Sequence, residues 1–207
     1  AVDPARASVI DLNKLRPQLP DFEVPAGHTP DSYLRHLAEA GCARRYGPRT
    51  DPAAGAAWKQ LDYELSVIND MGMPGYFLIC WDISRYAAER GIWCQGRGSA
   101  ASSVVCYALG ITSVDALKHG LLFERFLHAE KTDPDIDIDF ENDRREEVIQ
   151  YLYAKYGRSH CAQVANLITY QPRLSVRDAA RALGYPMARI NEMTRYIHHE
   201  PPGSEVD

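Results

Sequence analysis

No stretch of this sequence approaches the roughly 18 consecutive apolar residues of a spanning helix, which excludes a helical membrane span and gives no reason to expect a membrane partner. There is no CxxC pair. The five cysteines, Cys42, Cys80, Cys94, Cys106 and Cys161, are odd in number and widely spaced, which argues against a disulfide scaffold or a zinc ribbon. They read as buried or half-buried thiols in a reducing cytosol, so the expected location is cytoplasmic. The seven histidines form no metal signature. Positive charge is not in excess: 23 Lys and Arg stand against 28 Asp and Glu, a net charge of −5. Overall charge therefore offers no argument for nucleic acid. Ala1-Val2-Asp3-Pro4-Ala5-Arg6 shows neither an initiator Met nor a basic and apolar signal segment, as expected of an excised piece or a processed product. Internal repeats and low-complexity tracts are also missing.

What is present is a globular composition: 207 residues, 45% hydrophobic and 10% aromatic, enough for one large domain or two small ones. Residues 1–55 read as a proline-punctuated connector carrying a short helix from Tyr33 towards Arg45, capped by Asp31-Ser32. Leu61, Leu65 and Ile68 form a helical stripe that ends at Met71-Gly72-Met73-Pro74-Gly75. Tyr76 to Arg90 has the length of a buried helix. Ile92-Trp93-Cys94 is β-prone and bounded by turn formers, and predicts a strand. A Gly-rich turn and a helix closing at Gly110 follow, then a short helix from Leu117 to Leu127. Arg144 to Tyr156 and Leu174 to Leu183 predict further helices, and the tail from Pro201 predicts disorder.

Two motifs carry chemistry. Pro134-Asp135-Ile136-Asp137-Ile138-Asp139-Phe140 alternates with period two, so a strand would send the apolar residues to a core and all three aspartates to the opposite face. Successive aspartates then have Cα atoms about 6.6 Å apart, close enough for their side chains to converge on one or two Mg²⁺ ions. Like charges stacked on one strand face repel, and a divalent cation relieves that repulsion. A solvated edge strand with acidic gatekeepers is one competing explanation. A calcium loop is another, with Asp135, Asp137, Asp139 and Glu146 at ligand positions, although Phe140 stands where its turn needs glycine.

The second motif is Gly96-Arg97-Gly98-Ser99 before a helix start, an arrangement in which backbone N–H groups can face a phosphate. Arg97 adds charge and Ser99 a hydroxyl. Alone, such a turn is equally a plain helix cap, and it is neither a Walker A loop nor a GxGxxG fingerprint. Followed 36 residues later by an acidic strand, it fits nucleotidyl transfer. A non-catalytic DNA-binding module is the alternative. Residues 144–195 hold nine Lys/Arg against four Asp/Glu, interleaved with Tyr151, Tyr153, Tyr156 and Tyr170. A stand-alone nucleotidyltransferase using only the first two carboxylates is a further reading.

Four stretches in order resemble one family. Tyr63-Glu64-Leu65 through Gly72-Met73-Pro74-Gly75-Tyr76-Phe77-Leu78-Ile79 is similar to the start of the palm in bacterial family C DNA polymerases, the DNA polymerase III alpha subunits. Gly96-Arg97-Gly98-Ser99 resembles that family's phosphate motif, and Leu121-Leu122-Phe123-Glu124-Arg125-Phe126-Leu127 and Pro134–Phe140 resemble the hallmarks that follow it. Cys94–Ala101, Arg144–Tyr151 and Ile168–Arg173 look most like the error-prone, damage-inducible branch; Ala100 and Ser102 stand where the replicative branch shows glycines.

The resemblance implies an α+β fold: a polymerase-beta-like nucleotidyltransferase palm over residues 56–155, then a small helical thumb over 156–200. It implies template-directed, error-prone DNA synthesis (translesion or repair) from dNTPs on primer-template DNA. Asp135 and Asp137 carry over as catalytic carboxylates holding two Mg²⁺ ions, with Mn²⁺ as a substitute. Asp139 is a further metal ligand that some members lack. Gly96, Arg97, Gly98 and Ser99, helped by Arg125, would hold the nucleotide phosphates, and Arg173, Arg177 and Arg181 would contact DNA. The family's third catalytic carboxylate, its phosphoesterase domain, fingers and clamp-binding region have no counterpart here, and neither Asp178 nor Glu192 replaces the acid. The 207-residue chain is thus expected to be inactive alone and to depend on the rest of the polymerase chain. A sliding clamp and damage-response accessory proteins would be partners through those other regions.

Overall fold

A computed structural model describes residues 19–126, 135–164 and 169–197, which divide into two compact units, 1–162 and 163–207. The fold is α+β. In the first unit the order is α1 (Pro30–Tyr46), α2 (Gly55–Asp70), α3 (Pro74–Glu89), β1 (Cys94–Arg97), α4 (Val104–Leu109), β2 (Asp137–Phe140) and α5 (Arg145–Tyr156).

α1 starts at Pro30, whose fixed φ suits a first helical position, and Thr29 and Ser32 satisfy each other's backbone N–H in a capping box. The cap is therefore Thr29, slightly earlier than the expected Asp31-Ser32. Leu34, Ala38 and Cys42, spaced by four, form one buried stripe, so α1 is a 17-residue wall of the core. Gly41 faces the Ala108 carbonyl directly, which lets α1 and α4 cross closely.

α2 buries Ala57, Trp58, Leu61, Leu65 and Ile68, as the stripe predicts, and α3 buries Phe77, Leu78 and Cys80 over its first half. Phe123, Phe126, Ile111 and Ile136 complete this core, with Phe126 edge-on to both Phe77 and Phe123. A smaller cluster of Ala87, Ile92 and Val148 fixes α5 against α3 and the sheet. Cys42, Cys80 and Cys106 are buried free thiols, and Cys94 and Cys161 are half-buried. Burial pushes Cys42 up to about 11 and Cys80 up to about 12, so both remain protonated.

Two local expectations shift. The strand lies at Cys94–Arg97 rather than 92–94, because the Ile92 N–H closes the end of α3 on the Ala87 carbonyl and pairing begins where Phe140 stands opposite Cys94. The helix expected over 117–127 is a series of turns through Gly120, at φ 61°, then one 3₁₀ turn at Phe123–Arg125. Its last residue lies outside the described residues, as do Pro134, Ile168, residues 1–18 of the N-terminal connector and the tail from Pro201.

The second unit, taken by itself, is a helix pair: α6 (Pro172–Ala182) and α7 (Met187–Thr194), packed through Ala180 and Ile190. Among the described residues no helix is long and apolar enough to cross a membrane.

Candidate active site

β1 and β2 pair antiparallel, with Cys94 opposite Phe140, Gln95 opposite Asp139, Gly96 opposite Ile138 and Arg97 opposite Asp137. The alternation holds: Ile136 is buried, Ile138 and Phe140 are half-buried, and Asp135, Asp137 and Asp139 are all exposed. A strand of this register also removes the calcium-loop explanation, since residues 137–140 are laddered rather than wrapped around an ion.

The pairing carries the glycine turn to the aspartates. Gly98 has φ 61°, in the left-handed region that favours glycine, and a Cβ there would stand 3.5 Å from Asp137 Oδ2. Ser99 Oγ donates to the Asp135 carbonyl at 3.0 Å. Asp139 has a different partner, the Arg97 guanidinium, whose Nε lies 2.9 Å from Oδ2 and 3.0 Å from Oδ1. Among the described residues, the side chains of Asp135 and Asp137 have no hydrogen bond or ion pair. Nor do the described residues include a group of three or more His, Cys, Asp or Glu placed to share an ion. Two neighbouring exposed carboxylates are nonetheless a hard oxygen donor pair of the kind Mg²⁺ takes when substrate phosphates and water fill its other positions.

Gly96 serves packing. Its N–H donates to the Ile111 carbonyl at 2.7 Å, and a Cβ would meet that same oxygen at 2.7 Å. Gln95 bonds the next two residues of that loop, reaching Thr112 Oγ1 at 2.9 Å and accepting from Ser113. Below the sheet, the Tyr76 hydroxyl accepts from the Ile136 N–H at 3.1 Å and holds the entry to β2.

The helix start that the sequence pattern assigns to a phosphate is filled from within. Residues Gly98–Ser102 wind as a 3₁₀ turn, and α4 begins only at Val104. There the buried Glu64 carboxylate of α2 accepts from Val104 N–H at 3.0 Å, Val105 N–H at 3.0 Å, Ser103 Oγ at 2.7 Å and Gln60 Nε2 at 3.1 Å. Burial raises its carboxyl above the ordinary carboxylate range, and those four donors pull it partly back. Among the described residues, the Gly98 and Ser99 N–H groups at the start of the 3₁₀ turn have no partner, as at any helix start, and are open to an anion.

Residues 32–206 match the family model described as the bacterial DNA polymerase III alpha NTPase domain. The chain belongs to the bacterial DNA polymerase III alpha family. It is 52% identical over 203 residues to a protein of Corynebacterium jeikeium named "Error-prone DNA polymerase", covering 97% of this chain and 18% of that protein. Similarly named proteins of Nocardia farcinica and Mycobacterium bovis are 55% and 53% identical over 95% and 91% of the chain. Each of those two is covered over 17% of its length, so the chain spans less than a fifth of the curated relatives it matches.

Against that family background, α5 has a structural duty. Asp82, 1% exposed on α3, accepts from Tyr151 at 2.6 Å, Tyr156 at 2.9 Å and Arg85 at 3.1 Å, with Lys155 Nζ at 2.7 Å. Burial pushes the Asp82 carboxyl up, but these hydrogen bonds together outweigh it and hold the group below the usual range. Tyr151 also stacks on Tyr86 with ring centroids 3.8 Å apart. Tyr151, Lys155 and Tyr156, counted by charge and aromaticity as a nucleic-acid face, thus engage the buried Asp82, the two tyrosines half-buried and Lys155 still exposed. Arg173 and Arg181 are exposed and Arg177 half-buried on α6, spaced by four along one face. Arg125 lies in the 3₁₀ turn at Phe123–Arg125. Sequence reasoning passed over Glu64 and Asp82; the one available signal was a carboxylate inside an otherwise apolar helical stripe.

Proposed function

We propose that this chain is the nucleotide- and metal-binding part of the palm of an error-prone DNA polymerase, with residues after about Tyr156 forming a small helical thumb. The observation that carries this reading is the antiparallel pairing of β1 with β2. It sets two carboxylates without a partner among the described residues, Asp135 and Asp137, beside the first N–H groups of the Gly98–Ser102 turn. Asp135 and Asp137 would hold two divalent ions, Mg²⁺ or Mn²⁺. Bound there, the metal would supply Lewis-acid activation of a primer 3′-hydroxyl and charge neutralisation on the leaving pyrophosphate. Gly98 and Ser99 orient the β- and γ-phosphates of a dNTP through backbone N–H groups, and Arg97 adds a guanidinium at the same edge. Asp139 limits Arg97's reach by pairing with it and contributes less to metal binding. Arg173, Arg177 and Arg181 contact the backbone of primer-template DNA, whose sequence is read by base pairing alone. The rest of the polymerase chain supplies a third carboxylate, and sliding-clamp or damage-response partners bind through it.

Titrating the 207-residue chain with Mn²⁺ and dATP tests the assignment. Metal-dependent nucleotide binding should fall at least about tenfold in Asp135→Ala and in Asp137→Ala, a loss of about 1.4 kcal/mol, and by less in Asp139→Ala. Primer extension by the isolated chain should be undetectable. Salt-sensitive DNA binding that ignores both aspartates, without nucleotide binding, would instead favour a non-catalytic DNA-binding module.

A further inference from the structure

We propose that Glu64 is a positioning residue for the nucleotide turn: its buried carboxylate ties α2 to the start of α4 and so holds Gly98–Ser102 against Asp135 and Asp137. The inference rests on the reading of that turn as a phosphate site.

Glu64 and Ser103 are both 0% exposed, and Ser103 directly follows the turn. Each carboxylate oxygen accepts two hydrogen bonds. Oε2 takes Ser103 Oγ–H and Val105 N–H, and Oε1 takes Val104 N–H and Gln60 Nε2–H. Ser103 Oγ accepts in turn from Cys106 N–H at 3.0 Å, which passes the link into α4. Among the described residues no Lys or Arg pairs with Glu64. The charge is balanced by four donors and by the positive end of a helix. Burying a carboxylate with no cationic partner is costly, and an apolar residue would fill the same space without that cost. What an apolar residue lacks is a directional hold on two backbone amides and one hydroxyl.

The turn is thereby clamped at both ends. Upstream, Gly96 is fixed on the Ile111 carbonyl and Ser99 on the Asp135 carbonyl. Downstream, among the described residues, Glu64 is the one polar anchor that Ser103, Val104 and Val105 have outside α4 and the turn. Ala100 and Ser102, buried between these ends, let the turn lie flat on the core. With the downstream clamp loosened, the N–H groups of Gly98 and Ser99 lose their fixed distance from Asp135 and Asp137. Metal binding by the aspartates, which sit on and beside β2, does not depend on that clamp.

The test compares Glu64→Gln with Asp82→Asn, a change to the other buried carboxylate, which lies on α3 and bonds α5 instead of the turn. In the glutamine variant one acceptor oxygen becomes an NH₂ group facing two donors while the shape is kept. Amides of 98–105 should exchange hydrogen at least about tenfold faster than in the unaltered chain, and those of α5 at an unchanged rate. Mn²⁺ affinity measured without nucleotide should stay within about twofold, while affinity for dATP with Mn²⁺ should fall about tenfold. Asp82→Asn should lower stability yet leave dATP affinity within about twofold. If Glu64→Gln does not fold, Ser103→Ala removes one of the four donors and should give an intermediate loss of about threefold. Unchanged exchange at 98–105, unchanged dATP affinity, or an equal loss in Asp82→Asn would each overturn the positioning role. An unaltered chain that binds no dATP would overturn the proposed function, and the exchange rates would still decide whether Glu64 holds the turn.

Discussion

Asp82 and Gly98 show how much rests on single residues in this fold. Asp82 draws Tyr151, Lys155 and Tyr156 of α5 and Arg85 of its own helix onto one buried carboxylate. Asp82→Asn should cost about 2–3 kcal/mol in urea denaturation, the worth of hydrogen bonds to a buried charge. The pH dependence has a defined sign. The folded carboxyl lies below its unfolded value, so its contribution is complete above the ordinary Asp range, about 3.9, and fades as pH falls through the folded value. The Tm difference between the unaltered chain and Asp82→Asn should therefore be constant from pH 7 to about 5 and shrink on further acidification. Gly98→Ala forces a side chain into a left-handed conformation and should cost about 1–2 kcal/mol, with a larger effect on Mn²⁺-dependent dATP binding because the new methyl group stands beside Asp137. A chain whose dATP affinity survives Gly98→Ala would count against the turn as phosphate site.

Among the elements, the two close approaches without side chains are the tightest constraints. β1 meets the 111–113 loop at Gly96, and α1 meets α4 at Gly41. In both places a methyl group would run into a carbonyl oxygen of rigid backbone, which only a shift of the whole element relieves. Gly96→Ala should destabilise by about 1–3 kcal/mol and lower nucleotide affinity, because β1 leads straight into the turn. Gly41→Ala should destabilise by at least as much while leaving metal binding by the folded fraction unchanged, since it moves α4 from the far side. Thermal unfolding, with Mn²⁺ titration and Mn²⁺-dependent dATP binding of each variant, checks both expectations. Most elements were legible in the sequence because they follow one rule, an apolar stripe of period near 3.6 between glycine and proline breakers. That rule found α2, α3, α5 and α6 to within a few residues. It missed the true extent of β1, a strand set by where its partner arrives, and it overextended a helix through Gly120.

For the whole molecule, the charge balance of −5 conceals a division between regions. Acid gathers on the exposed face of β2, and base lies on α6, where Arg173, Arg177 and Arg181 follow one another at helical spacing. Replacing all three arginines with alanine should weaken single-stranded and primed DNA binding without sequence preference. The slope of log affinity against log salt should fall by about one for each phosphate that is no longer neutralised. An unchanged slope would place the DNA-binding face elsewhere.

The chain's chemistry was written locally: period-two alternation put three aspartates on one face, and a glycine pair marked the turn before a helix. Those features depend only on neighbours in sequence, which is why they and the family resemblance were readable without coordinates. Tertiary structure decided which of those groups remain available. It paired Asp139 with Arg97, tied the Gly96 N–H to Ile111, bonded Tyr151, Lys155 and Tyr156 to Asp82, and filled the α4 start with Glu64. Each of these pairings joins residues at least 15 positions apart, beyond the reach of any local pattern. Only the folded chain brings such partners within hydrogen-bonding distance.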